Sequence, residues 1–296
     1  MEKLELKAMA KVNLGLDVLG RRENGYHDVR MVMQTVWLYD RVTLIRTKEA
    51  GIQVKTNLKF LPVDENNIAY KAAALLMEEF HPEGGIEIRL EKYIPVAAGL
   101  AGGSSNAAAV LFGMNRMYGW NLTMEELMKR GVKLGADVPY CLMRGTVLAE
   151  GIGEKLTRLP AAPRCYVLLA KPPISVSTKT VYEKLDSREI TNHPDIDGIL
   201  NGLKENDLDK VAGCMGNVLE CVTEEAYPVI GTIKKIMKEA GALNAIMSGS
   251  GPTVFGLFSR RGDAIRAKQN ILSENLSKQV YLTNIHRMKE EEVHGE

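Results

Sequence analysis

The chain has 296 residues, enough for two domains of ordinary size or one large one. Hydrophobic residues make up 45% and charged residues 25%, an ordinary globular balance, and a formal net charge of +1 gives no electrostatic footprint for nucleic acid or an acidic membrane surface. No apolar run approaches a membrane span, the N-terminal MEKLELKAMAKVN lacks an apolar signal core, and Cys141, Cys165, Cys214 and Cys221 form no CxxC pair. These features predict a cytoplasmic protein with buried thiols, no disulfides and no membrane partner.

Residues 3–19 alternate, with Val12, Leu14, Leu16 and Val18 on one side and Asn13, Gly15 and Asp17 between them, which predicts a half-buried strand. Asn24-Gly25 marks a hairpin turn. Residues 29–37, 41–47 and 52–55 predict further strands, so the first part reads as a largely antiparallel meander. Asn66-Asn67 offers a helix N-cap, Ile68, Ala72, Leu75, Leu76 and Phe80 follow at helical spacing, and His81-Pro82 ends the run. Residues 86–90 alternate as a strand and lead into a glycine-rich segment followed by a helix that stops at Gly119. Thr123 and Glu126 form a capping box for the next helix, which ends near Gly135.

Two short strands, 145–149 and 166–171, flank RLPAAPRC, whose two prolines mark a domain boundary. This divides the chain into 1–160 and 161–296. Helical patterns over 178–186, 195–203 and 206–224 precede a longer helix over 227–240. A strand over 244–247, the turn SGSGP and a strand over 253–258 follow. A helix near 263–275 and a strand over 279–286 complete the second half, and the charged tail MKEEEVHGE is expected to fray. Mixed helices and adjacent hairpins in both halves predict an α+β protein.

The segment PVAAGLAGGSSNAAAVL, residues 95–111, carries the strongest chemical signal. Gly99, Gly102 and Gly103 let the backbone approach a ligand without Cβ clashes. A helix starting directly after them offers unpaired N–H groups and a partial positive charge, which suits phosphate. A plain glycine loop with Ser104 or Ser105 as N-cap fits the same residues. It is not a Walker A loop, because no lysine precedes Ser104.

Other candidates are single residues. Lys11 and Asn13 share a strand face by period two, and a solvated face accounts for them as well as a site does. Tyr26 and His27 follow the hairpin turn and are either exposed loop rings or a platform for a base or sugar. Asp137, two residues before Pro139, is either an N-cap or a base for a substrate hydroxyl. Ser248-Gly249-Ser250-Gly251-Pro252 is a second glycine turn.

Taken in order, KAMAKVNLGLDVLG, PVAAGLAGGSS and IMSGSGPTVFGLF resemble the three motifs of the GHMP kinases, the superfamily of galactokinase, homoserine kinase, mevalonate kinase and phosphomevalonate kinase. The stretches AKVNLGLDVLGRRENGYHDVRMVMQTV, LGADVPYCLMRGTVLAEGIGE and ISVSTKTVY resemble the branch that acts on a cytidine diphosphate sugar-alcohol in the non-mevalonate isoprenoid route. The resemblance covers nearly the whole chain. It implies a two-domain fold, with a ribosomal S5 domain 2-like N-terminal domain and a ferredoxin-like C-terminal domain. It further implies transfer of the ATP γ-phosphoryl group to the 2-hydroxyl of that substrate, with Mg²⁺ bridging the phosphates.

By the same resemblance Asp137 matches the catalytic base and Lys11 its partner. Asn13, Tyr26 and His27 match substrate-side positions, and Tyr182 matches a position where an aromatic ring stacks on cytosine. Asn67 and Lys92 match the adenine pocket. Pro95, Val96, Ala97, Ala98, Gly99, Leu100, Ala101, Gly102, Gly103, Ser104 and Ser105 match the phosphate loop. Relatives often carry Met or more glycine where this chain has Val96-Ala97-Ala98. Gly249 and Gly251 match the third motif, at the substrate end of the cleft. No protein ligand of Mg²⁺ is assigned; Ser105 is a candidate.

Overall fold

The computed structural model describes residues 1–190 and 192–288, so residues 289–296 of the charged tail, expected to fray, lie outside the described residues. Two long strands, β1 (Lys3–Arg21) and β2 (His27–Thr47), form a hairpin across the Asn24-Gly25 turn. β2 is one strand where two were expected. Trp37 and Leu38 bulge out between the pairs Val36–Ala10 and Tyr39–Met9, which bends the strand without ending it.

β3 (Gly51–Thr56), α1 (Ile68–Phe80) and β4 (Gly85–Glu91) correct the expected meander. β4 runs antiparallel to β2 but parallel to β3, because a helical connection returns the chain in its original direction. α2 (Gly102–Tyr118), α3 (Met124–Val132), α4 (Val138–Met143), β5 (Thr146–Gly151) and β6 (Lys155–Arg158) complete this half. The capping box of Thr123 and Glu126 opens α3 as expected. α4 and β6 add to the predicted elements; both are too short to show a period.

The chain then forms β7 (Tyr166–Lys171), α5 (Thr178–Leu185), α6 (Ile196–Glu205) and α7 (Leu208–Cys214). β8 (Gly216–Asn217), α8 (Glu220–Ala226), α9 (Val229–Glu239) and β9 (Asn244–Met247) follow. β10 (Val254–Phe258), α10 (Arg261–Ser273) and β11 (Gln279–Asn284) end the fold. The four-stranded sheet has the order β11-β7-β10-β9, antiparallel throughout, which is the strand order of a ferredoxin-like domain.

The expected single helix over 206–224 is instead α7, β8 and α8. Gly216 and Asn217 pair in parallel with Gly15 and Leu16, so the second half supplies the seventh strand of a sheet whose other six come from the first. Asn217 then donates to the carbonyls of Met247 (2.8 Å) and Gly249 (2.7 Å), while its oxygen accepts from the N–H of Leu219 (3.0 Å). One side chain therefore ties β1, through β8, to the second glycine turn.

The middle of β1, residues 8–18, is buried on both faces rather than on one. Val12 and Leu14 belong to a core that includes Val167, Leu169, Phe255 and Leu257 of the four-stranded sheet. Ala8, Leu16 and Val18 belong to another that includes Ala107, Val110 and Leu111 of α2. The polar residues of β1 thus lie inside the molecule, and each needs a partner there.

Asn217→Ala removes the donor from two carbonyls. It is expected to lower unfolding free energy by about 1–3 kcal/mol, read from urea denaturation followed by circular dichroism.

Candidate active site

The glycine loop runs from the end of β4 into α2. Ala97, Gly99 and Ala101 all have left-handed backbone, with φ of 50°, 74° and 55°. Two of the three are alanines, so the loop holds strained geometry of the kind found at ligand clamps. α2 begins at Gly102, inside the glycine run, with Ala101 as N-cap and no side-chain cap. Neither Ser104 nor Ser105 caps it, and the first-turn N–H groups stay open to a ligand.

Gly99 is where the two glycine segments meet. A Cβ at this position would lie 2.1 Å from the carbonyl oxygen of Ser248. The Ser248 hydroxyl donates to the Gly99 carbonyl at 3.0 Å. The phosphate-type loop and the second glycine turn, 149 residues apart, therefore pack backbone against backbone.

Two cavities share this loop. The larger, about 650 Å³, is lined by Lys11, Asn13, Tyr26, His27, Asp137, Tyr182, Gly249 and Gly251. All the residues expected on the catalytic and substrate side thus face one space. The smaller, about 380 Å³, is lined by Asn67, Lys92, Pro95, Val96, Ala98, Gly102 and Gly103. Ala97, Gly99, Ala101 and Ser104 line both. Leu100 and Ser105 line neither; they are 1% and 3% exposed.

Lys11 is buried, and its ammonium donates to Asn13 Oδ1 at 2.7 Å. It lies 3.9 Å from Asp137 Oδ2. Its backbone N–H donates to the Leu100 carbonyl at 3.2 Å, which fixes the lysine beside the loop. Asp137 occupies the N-cap position of α4, yet its side chain makes no capping bond. The carboxylate is left facing the cleft and the lysine, about one third exposed. Cys141, one turn further on, is buried; this desolvation pushes its thiol well up and keeps it protonated and unreactive.

At the far end of the cleft the His27 and Tyr182 rings lie 4.7 Å apart at 35°. Tyr26 is 59% exposed beside them. Burial, with a smaller contribution from the charge of Asp137, pushes the Tyr182 hydroxyl up to about 12. It therefore stays neutral, and the ring offers a flat uncharged face.

The two residues expected near adenine have structural partners. Asn67 caps α1, accepting from the N–H of Ala69 (2.9 Å) and donating to the carbonyl of Pro62 (2.8 Å). Lys92 pairs with Asp40 and donates to Asn106 Oδ1 at 2.7 Å. Asp40 is fully buried and also accepts from the backbone N–H of Tyr93 (2.7 Å) and Ile94 (2.8 Å). It anchors the chain just ahead of the loop. Sequence reading missed Asp40 and Asn106; the available signal was an aspartate inside the strand-forming run VWLYDRVTLI. It also missed Asp186, which bonds His27, and Asn217, hidden in an expected helix.

Among the described residues no group of three or more His, Cys, Asp or Glu could hold a metal ion. Ser104 and Asp137, which line the larger cavity with the loop, offer a hydroxyl and a carboxylate, which fits Mg²⁺ held mainly by phosphate oxygens. No helix among the described residues is long and apolar enough to cross a membrane.

Comparison with known proteins agrees with this geometry. Residues 67–145 match the GHMP kinases N terminal domain, and residues 199–278 match the GHMP kinases C terminal model. A 4-diphosphocytidyl-2-C-methyl-D-erythritol kinase of Lachnospira eligens is 62% identical over 96% of this chain and 98% of its own length. The chain belongs to this kinase family. It is a small-molecule kinase with the two-domain GHMP fold. The family's enzyme from Lachnoclostridium phytofermentans is 55% identical over 98% of this chain and 99% of its own length. A crystal structure of a 4-(cytidine 5'-diphospho)-2C-methyl-D-erythritol kinase superposes with a TM-score of 0.82 at 31% identity, covering 96% of this chain and all of that one. The homoserine kinase of Cytophaga hutchinsonii shares the fold, with a TM-score of 0.79 at 23% identity over 97% of this chain and 96% of its own.

Gly99→Ala places a methyl group against the Ser248 carbonyl at a left-handed backbone position. The variant is expected to lose at least about 1–3 kcal/mol of stability and to bind ATP more weakly. Thermal unfolding with and without ATP reads both.

Proposed function

We propose that the protein transfers the γ-phosphoryl group of ATP to the 2-hydroxyl of 4-diphosphocytidyl-2-C-methyl-D-erythritol, the kinase step of the non-mevalonate isoprenoid route. The observation that carries this reading is the pairing of Lys11 with Asp137 beside a glycine loop shared by two cavities. The names of relatives that match the chain along almost its whole length support the substrate.

Phosphoryl transfer asks the protein mainly for positioning and for charge stabilisation. The smaller cavity takes adenine, and the loop with the start of α2 takes the phosphates through backbone N–H groups. Asp137 accepts the proton of the attacking hydroxyl. Lys11 lies beside the Asp137 carboxylate and offsets charge that builds on the transferring group. Asn13 orients Lys11 through its side-chain oxygen. Tyr26, His27 and Tyr182 form the platform for cytosine, and Gly249 and Gly251 close the substrate end. When bound with ATP, Mg²⁺ supplies neutralisation of phosphate charge, and Ser104 is the loop hydroxyl that would help hold it.

The domain division we adopt is 1–160 and 161–296. It is supported by the change of sheet between β6 and β7, across Pro160 and Pro163. A cytoplasmic setting is supported by four free cysteines.

ADP release on adding the cytidine substrate to enzyme with Mg-ATP tests the reaction, with homoserine and mevalonate as controls. Turnover of a control alcohol instead would overturn the substrate. Asp137→Asn is expected to cut kcat by about 10²–10⁴ with an unchanged circular dichroism spectrum. Tyr182→Ala is expected to weaken substrate binding by about 1–3 kcal/mol, seen as a raised KM for the alcohol and an unchanged KM for ATP.

A further inference from the structure

Asp186 lies at the C-cap of α5, one turn beyond Tyr182, and its backbone N–H donates to the Tyr182 carbonyl at 2.9 Å. Its carboxylate faces the larger cavity and reaches across it to the β1–β2 hairpin. Oδ1 bonds His27 Nε2 at 2.6 Å, and Oδ2 lies 3.3 Å from a guanidinium nitrogen of Arg21. The two oxygens thus hold two residues of the first half from a helix of the second. The His27 ring so fixed lies against the Tyr182 ring.

We infer that Asp186 is a positioning residue that holds the His27 ring against Tyr182 and so fixes the aromatic platform for the nucleobase. The inference rests on the proposed cytidine substrate. The hairpin carries Tyr26 and His27, and α5 carries Tyr182. A platform built from two separate elements keeps its shape only if something ties them together. Asp186 is the charged tie, and its contacts are to the ring's own element and to the opposing one. Lys11 and Asp137 do not touch it, so its role is in substrate binding and not in phosphoryl transfer.

The test is steady-state kinetics of Asp186→Asn, His27→Ala and the double variant, beside the wild-type enzyme. The expected result for Asp186→Asn is a rise of about tenfold in KM for the cytidine substrate, the scale of one lost charge-assisted hydrogen bond. Its kcat and its KM for ATP stay within about twofold, because binding of the alcohol alone is altered. The double variant falls short of the product of the two single effects, since both substitutions break the Asp186–His27 link while the Arg21 link belongs to Asp186 alone. An unchanged substrate KM, additive effects, or a parallel loss in kcat and ATP affinity overturns the inference. Wild-type enzyme that fails to phosphorylate the cytidine compound overturns the substrate reading, and this inference with it. Wild-type turnover with an unaffected Asp186→Asn overturns the inference alone.

Discussion

The site depends on a contact between two stretches of backbone that no side chain could share. The glycine loop and the SGSGP turn approach at Gly99 and Ser248, where even a methyl group would overlap a carbonyl oxygen. That approach makes the loop common to both cavities. Asn217 supports it from behind by holding the carbonyls of Met247 and Gly249, and β8 joins this support to β1, the strand that carries Lys11. Lys11 and the second glycine turn therefore share one mechanical connection.

Two buried ammonium groups divide the work around the loop. Burial of a cation is costly unless a carboxylate and further hydrogen bonds meet it. Lys92 has both Asp40 and Asn106 at hydrogen-bond distance, which ties it to the chain ahead of the loop. Lys11 has Asn13 at hydrogen-bond distance and Asp137 only at 3.9 Å. The longer separation leaves Asp137 an open carboxylate edge toward the cleft, which a structural ion pair would close. The two lysines thus differ in how closely a carboxylate meets them.

Much of the site was legible because its chemistry is local. Three glycines in five residues followed by a helix describe an anion cradle whatever lies around them, and Asn24-Gly25 describes a hairpin. The motifs in order were enough to indicate the kinase superfamily. Asp40, Asp186 and Asn217 were not legible, because each acts on a partner at least 30 residues away and leaves no spacing signal. The alternation of β1 was read as one wet face, but helices and a second sheet cover both. A period of two reports which residues share a face; it does not report what covers that face.

The sequence by itself determined the local elements, the cradle and the residue types available for phosphoryl transfer, since these follow from backbone freedom and side-chain chemistry within a few residues. Only the tertiary structure decided that Lys11 lies beside Asp137, that β8 crosses into the first sheet, and that Lys92 is bound to Asp40. Those pairings join segments separated by tens to hundreds of residues. Their partners are selected by burial, which forces each enclosed charge and backbone group to be met by whatever the packed chain brings within reach.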